Sequence, residues 1–231
     1  MMVSCMKVSG ILVGAGLGLR MGGKVKKPFI RIHDKPVFLH TIDRFSQCSL
    51  VTEMVLVVGE SERDYVLDTW RDLLDAYGVK KIVPGGKRRQ DSVFNGLSNV
   101  DTDAEIVLIH DAVRPLVKKE HIEEVIHKVK ECKAAILAAP MKATVKEIND
   151  DFSIKRTVPR SKLWMAQTPQ GFEKNLIMKV FHQFRNTERE FTDDAQMVEE
   201  AGYPVYIVPG SDDNIKITTP DDISIAAALL K

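Results

Sequence analysis

The stretch VSGILVGAGLGLRMGGKVKK (8–27) decides the fold. It begins as an apolar strand, turns through a run of glycines and delivers Arg20, Lys24, Lys26 and Lys27 into one loop. An apolar strand feeding a Gly-rich turn is how α/β proteins bring backbone N–H groups up to phosphate. The glycines permit close backbone approach, and the cations can neutralise phosphate charge.

The same grammar continues downstream. Apolar runs at 53–59, 80–86, 104–112, 134–140 and 203–210 read as strands, and helical patterns fall at 36–47, 61–77, 90–99, 118–132, 173–186, 193–201 and 219–230. The runs are continuous rather than alternating, as in parallel strands covered on both faces. Alternation of β and α over the whole length predicts an α/β fold, a doubly wound and mostly parallel sheet in a single domain over 1–231. Ligands of such sheets sit at the carboxyl ends of the strands, where Gly14–Gly18, Gly85–Gly86 and Asp111 fall. One segment breaks the rhythm. Residues 141–168 read as two short strands, TVKEI and SIKRTV, joined by NDD, either a local edge hairpin or an arm over 141–163 that reaches a second subunit.

Composition narrows the function. Lys+Arg 33 against Asp+Glu 32 leaves a net charge of +1, which argues against a general nucleic-acid binder. The cations at 20–27 therefore read as a local site. No apolar run approaches the roughly 18–20 residues needed to span a bilayer. The N-terminal apolar patch runs into a Gly-rich loop rather than a small-residue cleavage site, which argues against a signal peptide. Cys5, Cys48 and Cys132 are odd in number and widely spaced, giving neither a disulfide framework nor a metal pair, so the expectation is a cytoplasmic protein.

Two familiar glycine loops fail. A dinucleotide fingerprint needs G-x-G-x-x-G and an acid about 20 residues on; here the spacing is G-x-G-x-G, and Glu60 comes too late. Gly18 to Lys24 matches a Walker A loop, but Val25 stands where the magnesium-binding hydroxyl should be. What remains is a Gly loop with Arg20 and Lys27, suited to a nucleoside triphosphate or, taken alone, a solvated basic loop.

Asp111, in IVLIHDAVRP, follows a buried apolar run and can hold Mg²⁺ at the sheet edge or cap the next segment. Arg114 can grip an anionic substrate. His110 could serve as a base, although a structural histidine ending a strand is the simpler reading. In GGKRRQDSVFNGL (85–97), Asp91 or Ser92 would cap the helix or touch ligand, and Arg88 and Arg89 add positive charge. In FTDDAQMVEEAG (191–202), Thr192 reads as the N-cap and Gly202 as the stop. Lys216 lies beside an N-cap and Pro turn in DNIKITTPDDI (213–223).

Taken together, the order G-x-G-x-R-M-G…K, G-G-x-x-R-x-D-S-V, H-D-A-x-R-P, T-V-x-R-x-x-L-W-x-A-Q-T-P-Q, T-D-D-A and D-N-I-K-x-T resembles the 2-C-methyl-D-erythritol 4-phosphate cytidylyltransferases of non-mevalonate isoprenoid synthesis. The resemblance runs from about residue 8 to 229. Two positions depart from it: KVKKPFIRI replaces the usual Pro-Lys-Gln ahead of the aromatic, and Gly14 replaces a common Ala. Lys27 aligns with the family's catalytic lysine through its place before Pro28 and Phe29, with Lys26 a competing candidate.

The resemblance implies that CTP lies on Gly14, Ala15, Gly16 and Gly18, with Gly86, Ser92 and Ala112 around base and ribose. It implies that Arg20 and Lys27 stabilise charge on the α-phosphate, and that Asp111 binds Mg²⁺ bridging the phosphates. Arg114, Thr168, Thr192 and Lys216 would surround the sugar-alcohol phosphate, while Thr144 and Arg160 would enter a neighbouring subunit's site, making the protein a homodimer. Ribitol-5-phosphate cytidylyltransferases share H-D-A-x-R-P and N-I-K-I-T-T-P and are the nearest rival; Asp91-Ser92-Val93 and Leu163-Trp164 fit the erythritol-phosphate enzymes better. A non-catalytic nucleotide sensor would be expected to lose Arg20, Lys27 or Asp111, and all three are present.

Overall fold

A computed structural model of the chain describes residues 6–16 and 25–230. Its centre is a seven-stranded sheet made of β1 (Val8–Val13), β4 (Glu53–Val58), β5 (Val79–Pro84), β6 (Ile106–Asp111), β7 (Ala134–Pro140), β10 (Trp164–Glu173) and β11 (Tyr206–Pro209). The order across the sheet is β11-β7-β10-β6-β1-β4-β5. β1 pairs in parallel with β4 and β6, while β10 runs antiparallel between β6 and β7.

Both faces of the sheet are covered, which is why the strand sequences are continuous apolar runs. Val8, Leu12, Leu56 and Leu108 face α1 (Val37–Ser46), α2 (Glu60–Ala76) and α4 (Lys119–Cys132). Ile11, Val55, Val57, Val107 and Ile109 face α3 (Arg89–Leu97), α5 (Lys174–Gln183) and α6 (Asp194–Glu200). Successive side chains thus enter opposite cores, following the period of two along a strand. A third, smaller cluster packs α7 (Pro220–Leu229) through Ala226 against Ile32, Val37, Val113 and Ile217. That cluster ties the 213–219 loop to the segment after β6.

The doubly wound, mostly parallel reading holds, with helix ends displaced by at most three residues. The reversed strand β10 is the departure. Residues 164–168 belong to the main sheet, not to the hairpin, and Pro169 and Gly171 conceal the strand in the sequence because both residues normally argue against a central strand. The sheet admits Pro169 at a register shift between Ala166 and Gln170. Gly171 is needed for close packing, since a Cβ there would stand 2.7 Å from Val125 Cγ1 and 2.8 Å from Val129 Cγ2 on α4. A two-residue ribbon, β2 (Arg31–Ile32) with β3 (Lys35–Pro36), was also not foreseen.

The hairpin itself is β8 (Val145–Ile148) and β9 (Ile154–Val158), antiparallel and separate from the main sheet. Its base is pinned where Met141 N donates to Leu163 O (2.9 Å) and where Trp164 pairs with Pro140. Its tip leaves Ile148, Phe152 and Ile154 exposed, Phe152 at 83%.

Gly171→Ala should lower stability by about 1–3 kcal/mol through overpacking against α4. Urea unfolding followed by circular dichroism would measure it; an unchanged midpoint would mean that α4 yields freely.

Candidate active site

A cavity of about 660 Å³ opens at the carboxyl ends of β1 and β6. Gly14, Ala15, Gly16, Lys27, Gly86, Arg89, Ser92, Asp111 and Lys216 line it. The two glycine turns meet at its floor. Gly14 N donates to Val57 O and Gly85 N to Val58 O, both at 2.7 Å, so each loop is tied to the end of β4. A Cβ on Gly85 would come within 2.2 Å of Ala15 Cβ, an approach that only glycine allows. Ser92 Oγ accepts from Gly86 N (3.0 Å), and the Asp91 carboxylate accepts from Arg88 N (3.1 Å), which shapes the second turn and starts α3.

Asp111 is the electrostatic centre. It is 6% exposed, and its Oδ2 receives Lys216 Nζ at 2.9 Å and Arg114 Nε at 3.3 Å, while Arg89 Nε stands 3.9 Å from Oδ1. Burial alone would push this carboxyl up; Lys216, Arg89 and Arg114 outweigh it and hold the group well below the usual carboxylate range. Arg89 is shared with Asp194, whose Oδ2 lies 2.8 Å from Arg89 Nη2. Burial would lower the guanidinium's affinity for its proton, but Asp194 and Asp111 more than compensate. Burial pushes Asp194 upward, with Arg89 opposing.

Behind Asp111 lies a chain of satisfied polar groups. His110 Nε2 stands 3.2 Å from Arg114 O and must donate to that carbonyl, which leaves Nδ1 to accept from Thr168 Oγ1 at 2.9 Å. Thr168 Oγ1 in turn accepts Asp111 N (3.1 Å). Burial drives the His110 imidazole down to about 3, and with Nε2 given to Arg114 O and Nδ1 taken by Thr168 it has no free lone pair to offer the cavity as a base. Asn214 Nδ2 donates to Thr168 O (2.9 Å), and Arg114 Nη1 donates to Asn214 O (2.7 Å), fixing the loop that carries Lys216.

The candidate residues separate into groups. Gly14, Ala15, Gly16, Lys27, Gly86, Ser92, Asp111 and Lys216 share the cavity. Ala112 is buried behind it, its carbonyl accepting the Thr41 hydroxyl (2.9 Å). Arg114 and Thr168 touch Asp111 directly. Thr144 and Arg160 are exposed on the hairpin, and Arg160 Nη1 donates to Lys142 O. Gly18 and Arg20 lie outside the described residues. Thr192 is exposed and is not the N-cap of α6: Asp193 is, accepting Gln196 N at 2.9 Å, while Thr192 N and Oγ1 donate to Gln196 Oε1. Asp193 takes the cap because the first turn begins at Asp194, and the Thr192 hydroxyl is committed to Gln196 Oε1. Lys26, the rival to Lys27, is paired with Glu62 at 2.6 Å.

Sequence reasoning did not single out Asp194 or Gln170, and it gave Arg89 no partner. Gln170 Oε1 accepts Asp194 N (3.1 Å) and Ala195 N (3.0 Å), and its Nε2 donates to Asp193 Oδ2 (2.9 Å). The available signal was polarity in the wrong place, a glutamine inside a strand and two adjacent acids opening a helix.

Among the described residues no group of three or more His, Cys, Asp or Glu gathers as a metal cage. Asp111 nevertheless fits Mg²⁺, which commonly takes one or two carboxylates together with substrate phosphates. No described helix is long and apolar enough to cross a membrane.

The family model for 2-C-methyl-D-erythritol 4-phosphate cytidylyltransferase matches residues 8–231. Proteins of that name from Alkaliphilus oremlandii and Clostridioides difficile are 42% and 41% identical, over 97% and 96% of this chain and 95% and 93% of theirs. Among solved structures, 4-diphosphocytidyl-2C-methyl-D-erythritol synthase from Anaerococcus prevotii superposes with a TM-score of 0.84 at 33% identity, covering 98% of this chain and 99% of that one. The Thermus thermophilus cytidylyltransferase gives 0.79 at 28% identity, with 97% and 98% covered. With fold and sequence agreeing over nearly its full length, the chain belongs to the 2-C-methyl-D-erythritol 4-phosphate cytidylyltransferase family.

Proposed function

We propose that this enzyme transfers CMP from CTP to 2-C-methyl-D-erythritol 4-phosphate and releases pyrophosphate. The observation that carries the reading is one buried carboxylate, Asp111, ringed by Lys216, Arg114 and Arg89 where two glycine turns open a cavity. Such a site suits polyanions. The acceptor is a phosphate monoester whose second pKa is near 6, so it is already mostly a dianion at neutral pH and needs no general base. Neutral, doubly hydrogen-bonded His110 agrees with that chemistry.

The difficulty of the reaction is bringing two polyanions together for in-line attack of the acceptor phosphate on the α-phosphorus. Backbone groups at Gly14, Ala15, Gly16 and Gly86 cradle the nucleotide, with Gly18 extending the same loop and Ser92 fixing the second turn. Lys27 and Arg20 stabilise the charge that builds on the α-phosphate. Asp111 would hold Mg²⁺, which would supply screening of the phosphate charge. Ala112 sets the backbone beside base and ribose. Arg114 and Lys216 hold the acceptor phosphate, and Thr168 supports the site by fixing Asp111 and His110. Thr192 lies on the acceptor side. Thr144 and Arg160 stand on the hairpin and serve the neighbouring subunit of a homodimer, which fits the hairpin's exposed apolar tip. The chemistry and its substrates are those of a cytoplasmic biosynthetic enzyme.

The direct test is pyrophosphate release with CTP and Mg²⁺, using methylerythritol 4-phosphate, ribitol 5-phosphate or no acceptor. Release confined to the first supports the reading; release confined to ribitol 5-phosphate keeps the mechanism and changes the substrate; no release with either sinks it. Lys27→Ala should lower kcat by ~10²-fold or more, the loss expected for one preorganised transition-state donor. Lys26→Ala should leave kcat within about threefold, since its pairing with Glu62 is a partly exposed contact of small worth. The reverse ranking would transfer the role to Lys26. Arg160→Ala and Asp111→Asn should each be nearly inactive, whereas re-equilibrated mixtures should regain about one quarter of wild-type activity because half the dimers then carry one intact site. No recovery on mixing would place Arg160 in its own subunit's site, and an active Arg160→Ala would place it outside any.

A further inference from the structure

Asp194 is the first residue of α6, yet it is 1% exposed. Among the described residues its charge meets one partner, the guanidinium of Arg89, Nη2 lying 2.8 Å from Oδ2. A buried ion pair whose carboxylate gains no further donor repays its desolvation poorly. Helix α6 does not require it. Asp193 caps the helix, and the N–H groups of Asp194 and Ala195 are already taken by Gln170 Oε1.

The geometry around Asp111 gives the pair a use. Lys216 and Arg114 have closed on Oδ2 at 2.9 and 3.3 Å, but Arg89, drawn between two carboxylates, stands 3.9 Å from Oδ1 and sits tight against Asp194. A guanidinium free to move would close on both oxygens of Asp111 as a bidentate pair. Resting on the reading in which Asp111 takes the divalent cation together with the nucleotide phosphates, we infer that Asp194 is a positioning residue that holds Arg89 back and leaves Oδ1 of Asp111 open to the metal. The pair works through Asp111 and not through the reacting atoms. A neutral residue at 194 would release Arg89 to compete with the metal for one carboxylate.

The test reads metal-linked nucleotide binding, not turnover. CTP affinity of the full chain is measured calorimetrically with and without Mn²⁺, in the absence of acceptor. In the wild type Mn²⁺ should tighten CTP binding; Asp194→Asn should reduce that enhancement by ~10-fold or more, as loss of a group that orients a metal ligand does. Metal-free CTP binding should stay within about threefold, because linkage confines the effect to the metal-bound complex. In Arg89→Gln/Asp194→Asn, with no guanidinium to release, the enhancement should return to within about threefold of wild type. Equal enhancement in Asp194→Asn and wild type, or no recovery in the double variant, would overturn the inference. Should Asp194→Asn fail to fold by circular dichroism, Arg89→Gln decides: an enhancement equal to or above wild type supports it, and a tenfold smaller one overturns it. A wild-type protein whose CTP binding ignores Mn²⁺ would overturn the Asp111 metal reading as well, so the two failures are distinguishable.

Discussion

The carboxylate of Asp111 could not be buried alone at the end of β6. An isolated charge in that position would take up a proton or draw water into the sheet edge. Three cations from three parts of the chain keep it ionised: Arg89 at the start of α3, Arg114 just after β6 and Lys216 in the loop before α7. The converse matters equally. Without Asp111 these cations would repel one another, and the loops that carry them would have little reason to converge. One acid therefore gathers three basic groups, Arg89 being shared with Asp194, and through them shapes the wall of the cavity.

The polar chain behind Asp111 makes that arrangement rigid. Thr168 reads His110 with its proton and Asp111 N with its lone pair, and Asn214 ties the same segment to Arg114. Each group has one role that its neighbours dictate, the condition under which buried polar networks specify a structure instead of weakening it. The network joins β6, β10 and the 213–219 loop, three segments remote in sequence.

Much of this was legible in the chain. Strands β1, β4 and β6 announce themselves because both faces are covered and the apolar run is uninterrupted. Gly85 and Gly86 were legible because close approach leaves no alternative residue, and Asp111 because a charge just beyond the apolar run 106–109 reads as a sheet edge. What stayed hidden depends on who meets whom in space. β10 carries Pro169 and Gly171, residues whose local preferences oppose a central strand and are overridden by pairing on both sides. Thr192 and Asp193 are both good caps, and only the start of the first turn at Asp194 decides between them. Arg88, Arg89, Lys26 and Lys27 form two adjacent basic pairs in the text; only packing directs Arg88 to Asp91, Arg89 to Asp194 and Lys26 to Glu62, and brings Lys27 to the cavity wall.

The hairpin of β8 and β9 behaves mechanically as a lever, with its fulcrum at the pairing of Pro140 with Trp164 and its load at the tip. A lever transmits errors in proportion to its length. A slip of one residue at the fulcrum would turn every side chain beyond it to the opposite face, carrying Thr144 and Arg160 away from whatever they are meant to reach. Length changes are then tolerable at the turn around Asn149–Ser153, where nothing lies beyond to be misaimed. They are not tolerable near Met141 or Leu163, whose hydrogen bond holds the fulcrum in register. Insertions accumulated by drift should collect at the outer end of this arm and be absent from its root.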